Sequence, residues 1–214
     1  MSSVEQIQQS KIIRILRNNE SLIITVLLAL LVLVRLWLIT GVPKMFLSNW
    51  HDDLYYTQAA HHILHGEWLG PYSQMTVIKA PFYAFFLVFS SFTGLPLLLN
   101  ETAFFALACL VLFFALKPWI KNPWWRLLLF GLLLYSPPSL NNEWTLRVYR
   151  EFVYLSLSLF VLAFTIGLFL RLEGKLSKLI TWSIGLGISM GAFMITREEG
   201  IWIYPMLFLF MLFC

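Results

Sequence analysis

Long apolar runs broken by short polar interruptions set the pattern of this chain. From Leu22 to Val42 a single charge, Arg35, interrupts about 20 residues, the length needed to cross a hydrocarbon core of about 30 Å. This run is too long for a signal peptide and lacks a small-residue cleavage site, so it reads as a retained first span. Further apolar runs extend from about Trp124 to Tyr135, Phe152 to Leu170, Leu179 to Ile195, and from Ile201 onward. Pro137 and Pro138 close the run that ends at Tyr135, because proline cannot continue a helical ladder.

The run from Pro81 to Leu116 is ambiguous. It can be two short spans broken at Gly94, Leu95 and Pro96, or one crossing from about Pro96 to Leu116 preceded by an apolar helix over 81–93 lying at the interface. Charge decides between them. The basic clusters Lys11, Arg14, Arg17, then Lys117, Lys121, Arg126, then Arg171, Lys175, Lys178 all fall on the cytoplasmic side if the run crosses once. The acids then partition outward: Asp52, Asp53, Glu67, Glu101, Glu143, Glu151, Glu198 and Glu199 lie outside, with Lys44, Lys79, Arg147, Arg150 and Arg197. The expectation is an all-α integral membrane fold of about six transmembrane helices, in the cytoplasmic (inner) membrane, with its chemistry on the extracytoplasmic face. Residues 1–21 form a cytoplasmic segment and 22–214 the transmembrane module, whose first outer loop covers 44–95. The last span looks cut short at Cys214, as in a fragment or an N-terminal module.

Composition supports the membrane reading: 59% of residues are hydrophobic, 12% are charged and mean hydropathy is +0.77, which excludes an ordinary soluble domain. Cys109 and Cys214 lie in apolar runs and read as packing residues.

The polar density concentrates between Asn49 and Pro81. A helix begins at Asp52 and Asp53 and stops at Gly66, with Asp52, Tyr56, Ala59, Ala60 and Ile63 on one face. Both acids are also suited to capping the helix start, which is the structural reading of the pair. Lys79, the run Arg147, Arg150, Glu151 and the run Arg197, Glu198, Glu199 each lie near the outer end of an expected span. Ionisable groups at a membrane boundary are costly unless paired or solvated, so they are candidates for function; the alternative is that they anchor the helices at the interface. Cations beside a carboxylate suit phosphate binding plus general-base work. His51, His61, His62 and His65 share the loop. His61 and His65 have the spacing of a two-imidazole metal pair, which leaves a divalent metal open, beside the reading of solvated interfacial histidines. The sequon Asn100, Glu101, Thr102 abuts a span and reads as a chance match.

Asp52, Asp53, Leu54, Tyr55, Tyr56, Ala59 and Ala60, followed by Lys79, Ala80 and Pro81, resemble the first extracytoplasmic loop of the GT-C superfamily, near the protein O-mannosyltransferases and aminoarabinose transferases. That loop begins Asp, Asp or Glu, x, x, Tyr and ends Lys or His, Pro, Pro; here Ala80 replaces the first proline. The resemblance implies two interfacial helices between the first two spans, Asp52 as base, Asp53 and Glu151 shaping the catalytic site, and Lys79 on the carrier phosphate. It also implies a substrate contact by Tyr56; Tyr55, Arg147, Arg150, Arg197 and Glu198 are the further candidates for substrate binding. The implied activity is inverting transfer of a sugar from a polyprenyl-phosphate-linked donor to a lipid, glycan or protein acceptor. Membrane lipids, and no nucleic acid, complete the expected partners. A non-catalytic scaffold binding a lipid or partner, and a transporter subunit, are the alternatives; the concentration of polar residues in one loop, rather than at the midplane, speaks against the transporter.

Overall fold

The structure is a computed structural model that describes residues 19–46, 52–140, 143–205 and 208. The chain forms helices α1 (Glu20–Leu38), α2 (Asp52–Leu64), α3 (Gln74–Ile78), α4 (Phe82–Thr93), α5 (Leu97–Ala115), α6 (Pro123–Leu134), α7 (Glu143–Leu146), α8 (Glu151–Phe169) and α9 (Leu176–Met194). Two 3₁₀ turns, Pro137–Ser139 and Glu198–Trp202, follow α6 and α9. Among the described residues no strand forms; Met45 and Arg147 make an isolated β-bridge.

Four helices, α1, α5, α8 and α9, each of 19 residues, are long and apolar enough to cross a membrane. This is an all-helical membrane protein. The span expected over 124–135 is the 12-residue α6, whose rise of about 18 Å is short of a hydrocarbon core. Most of the span expected from Ile201 onward lies outside the described residues, and Ile201 and Trp202 belong to a 3₁₀ turn.

The run 81–116 is divided at Gly94–Pro96, the break that both readings share. Gly94 ends α4 in the left-handed conformation (φ 66°), and Pro96 caps the start of a separate α5. Asn100 ties this corner together: its buried amide donates to the Thr93 hydroxyl at 2.9 Å and to the Leu95 carbonyl at 3.3 Å. The sequon asparagine is thus spent inside the fold.

α5 and α8 pack against each other at the centre, with α6 and α1 beyond α5, α9 beyond α8, and α2 resting on α4. Helix ends gather in two groups. Near the start of α1, the Trp124 indole donates to Glu20 at 3.0 Å, and Arg171 after α8 donates to the Phe114 and Ala115 carbonyls at the end of α5, at 2.8 and 3.0 Å. At the opposite end, buried Arg35 donates to the Ser139 carbonyl and the Phe82 amide donates to the Ile195 carbonyl at 2.9 Å.

Without a hydrophobic driving force in lipid, close packing holds such helices together, and small residues permit it. Ala106, Ala108 and Cys109 on α5 and Ser156 and Ala163 on α8 are buried. A Cβ at Gly167 would collide with the Trp182 ring of α9, on which Arg171 lies 4.5 Å from the centroid. Gly167→Leu is expected to lower stability in detergent by about 1–3 kcal/mol through overpacking; a melting curve unchanged from the parent protein would remove this contact from the account.

Candidate functional site

The charged loops converge at one end of the bundle. α2 starts with Asp52 and Asp53 in its first turn and ends before Gly66, whose φ of 77° permits the chain to turn away. Tyr56, Ala59 and Ala60 are buried as the helical face requires, but the acid sealed on that face is Asp53, fully buried, while Asp52 keeps partial access.

Each acid has its own cation. Lys79 Nζ lies 2.7 Å from Asp52 Oδ1; Lys79 caps the C-terminal end of α3, whose capping box at Ser73 and Thr76 fixes where the lysine emerges. Arg147 grips Asp53 through both carboxylate oxygens, Nε to Oδ2 at 2.9 Å and an Nη to Oδ1 at 2.7 Å. That fork raises the Arg147 pKa, the hydrogen bond to Asp53 being the main cause. The backbone sets the position of Arg147: Met45 donates to the Leu146 carbonyl and accepts from the Val148 amide, at 2.6 and 3.0 Å, across the bridge.

Arg150, buried, donates to the Tyr56 hydroxyl at 3.0 Å, to the Thr196 carbonyl at 3.3 Å and to Glu198 at 3.3 Å. Burial works to lower its pKa, yet Tyr56 and Glu198 outweigh it and leave the guanidinium raised. Burial pushes the Tyr56 hydroxyl up, so it stays protonated. Tyr56 is wholly enclosed and acts on the site through Arg150. Arg197 holds Glu151 with contacts of 2.8 and 2.9 Å and Glu199 at 2.8 Å; its hydrogen bond is what lowers the Glu199 pKa. Tyr55 packs edge-on against Tyr56 with centroids 5.2 Å apart, and Tyr56 does the same with Tyr83.

Beside these pairs opens a cleft of about 470 Å³, lined on its polar side by Thr145, Tyr149, Glu151 and Arg197 and on its apolar side by Phe152 and Leu155. Tyr149 joins cleft and pairs: burial raises its pKa, and the charges of Asp52 and Glu151 raise it further.

The expected site residues therefore meet at one bundle end, as Asp52 with Lys79, Asp53 with Arg147, Tyr56 with Arg150 and Glu198, and Glu151 with Arg197. The histidines do not join them. His65 Nδ1 lies 2.8 Å from the His61 carbonyl, and His62 Nδ1 lies 2.6 Å from Glu67. Among the described residues no group of three or more potential ligands could hold a metal ion. His51 lies outside the described residues.

Sequence reasoning missed a buried triad beneath the site. Lys44 pairs with fully buried Glu101 of α5, which also accepts from the Tyr83 hydroxyl at 3.0 Å. Burial lowers the Lys44 pKa, opposed first by Glu101 and more weakly by Asp53. The signal was an acid one turn into an apolar run, where an ionisable group needs a partner. Tyr149 carried no such signal.

Compared with protein-family models, with curated proteins and with solved structures, the chain matches none.

Proposed function

We propose that this protein is a membrane glycosyltransferase of the GT-C type, alone or as a module of a larger enzyme. It would transfer a sugar from a polyprenyl-phosphate carrier to an acceptor hydroxyl on the extracytoplasmic face of the cytoplasmic membrane. In this reading the bundle makes about six crossings, and α2 and α4 are the two interfacial helices of the first outer loop. Exposed Trp37, Trp68 and Trp202 at the charged end support placing it at headgroup depth, where the carrier's phosphate would lie.

The observation that carries the reading is the contact of Lys79 with Asp52 at 2.7 Å: a phosphate ligand and a candidate base in direct reach of each other. A carrier phosphate arriving at Lys79 competes with Asp52 for the ammonium and frees the carboxylate. Asp52 then takes the proton of the acceptor hydroxyl as its oxygen attacks the anomeric carbon. The bond from that carbon to the phosphate oxygen breaks, its electron pair leaves with the phosphate, and the configuration inverts. Arg150 and Arg197 add charge-assisted contacts to the leaving phosphate, and Arg can give two at once. Asp53, closed by Arg147, and Tyr56, behind Arg150, are positioning residues; Glu151 orients Arg197 at the cleft.

A second reading, a non-catalytic scaffold that binds a lipid or partner, is favoured by the same pairs, since each acid already has a cation. Radiolabelled polyprenyl-phosphate sugar separates the readings when added to the purified chain in nanodiscs with acceptor lipids. An enzyme consumes the carrier, a scaffold binds it unchanged, and a transporter subunit ignores it. Arg150→Lys keeps the charge but loses the planar guanidinium whose Nη1 donates to Tyr56, Thr196 and Glu198, and is expected to weaken carrier binding by about tenfold; equal affinity in a binding titration would take Arg150 out of phosphate recognition.

A further inference from the structure

At the other end of the bundle lies a second polar cavity, of about 650 Å³, between the loop after α5 and the loop joining α8 to α9. Lys117 and Pro118 form one wall, and Arg171, Glu173, Lys175 and Lys178 the other. Four cations thus face one carboxylate.

The cations divide by what they already hold. Arg171 is engaged by the carbonyls of Phe114, Ala115 and Gly167, where it caps the end of α5, and it rests on Trp182. Buried Arg126 does similar work on the Phe113 carbonyl at 3.4 Å and stays out of the cavity. Among the described residues, Lys117, Lys175 and Lys178 pair with no carboxylate within 4.0 Å. Lys117 comes from the loop after α5, Lys175 from the loop before α9 and Lys178 from the first turn of α9, so the cavity exists only in the folded bundle. Its depth is marked by exposed Trp119, next in the chain to Pro118, and by exposed Trp124 and Trp125 at the start of α6, the residue type that settles at the headgroup level. Leu172 and Leu176, both exposed, flank the cavity residues where an acyl chain would descend.

We propose that this cavity is a binding site for the phosphate of an anionic glycerophospholipid. Basic pockets between transmembrane helices recognise such headgroups through several ammonium contacts at once. A lone free phosphate would satisfy the lysines but leave the exposed leucines and tryptophans unused, which is why the lipid is the assigned occupant. The site is separate from sugar transfer and does not depend on it.

The test is native mass spectrometry of the full chain released from nanodiscs containing phosphatidylglycerol and phosphatidylcholine. The parent protein is expected to retain phosphatidylglycerol in preference. Lys117→Gln, Lys175→Gln and Lys178→Gln combined are expected to cut that retention by roughly 100-fold, about fivefold for each lysine near an anionic surface. The same three positions changed to Arg keep the charge and are expected to retain the lipid, which guards against loss through misfolding. Lys121→Gln, exposed and outside the cavity lining, is the control. Retention unaffected by the triple glutamine variant would overturn the proposal, as would an equal loss in Lys121→Gln, which would mean diffuse attraction. Displacement of the lipid by millimolar inorganic phosphate, with equal binding of phosphate alone, would overturn the lipid assignment.

Discussion

Asp52→Asn is expected to lower sugar transfer by roughly 10²–10⁴-fold, the usual contribution of a positioned general base. Asparagine keeps the shape of the side chain and can still accept a hydrogen bond from Lys79 Nζ, so the contact between α2 and the end of α3 persists. What is lost is the site that receives the acceptor's proton. The effect should fall on turnover, with carrier binding close to that of the parent protein. Measuring transfer and binding of radiolabelled carrier on the same preparations separates the two, and parent-level transfer by a folded Asp52→Asn protein would remove this carboxylate from the mechanism. Asp53→Asn should behave differently. Asp53 is fully buried and gripped at both oxygens by Arg147, so its loss strands a guanidinium and is expected to act through the fold.

The second large effect concerns stability. Lys44→Met is expected to destabilise the protein by about 3–5 kcal/mol, because it leaves the Glu101 carboxylate buried without its cation. Adding Glu101→Gln to that variant should restore most of the loss. The glutamine is uncharged and its carbonyl still accepts from the Tyr83 hydroxyl; its own buried amide N–H groups cost less than an uncompensated carboxylate. Thermal unfolding in detergent of the two single variants and the double variant reads this directly. If the double variant is as unstable as the sum of the singles, the pair is not coupled and the triad is not what anchors the segment after α1. The anchoring matters for the site because Lys44 precedes Met45, whose backbone bridge to the segment 146–148 presents Arg147 to Asp53.

Much of the architecture was legible along the chain. Apolar runs of sufficient length marked α1, α5, α8 and α9, since a helix satisfies its own backbone groups and needs only a continuous apolar surface to sit in lipid. Gly94 and Pro96 divided α4 from α5, and Gly66 ended α2, because these residues act on the local backbone whatever surrounds them. The convergence of Asp52, Lys79, Arg150 and Arg197 on one end of the bundle followed from counting crossings and assigning charges to sides.

The pairing of those charges was not legible. Nothing in the spacing distinguished Asp53 as the sealed acid and Asp52 as the accessible one, since both stand in the first turn of the same helix. Nor did it join Lys44 to Glu101, or distinguish Arg126 and Arg171, spent on helix-end carbonyls, from the neighbouring lysines that line a cavity. The run over 124–135, closed by Pro137, forms the 12-residue α6, shorter than the four 19-residue helices.

By itself, then, the order of residues determined that this is a helical membrane protein, where its helices break, and which of its loops carry charge. Those properties depend on near neighbours and on burial in lipid, which each segment encounters alone. Only the tertiary structure decided which acid meets which cation, which carboxylate remains reachable, and that two basic loops close around a common space. Such choices depend on distances of a few ångströms between segments separated by tens of residues, and the packing of α5 on α8, α9 on α8 and α2 on α4 brings those segments together.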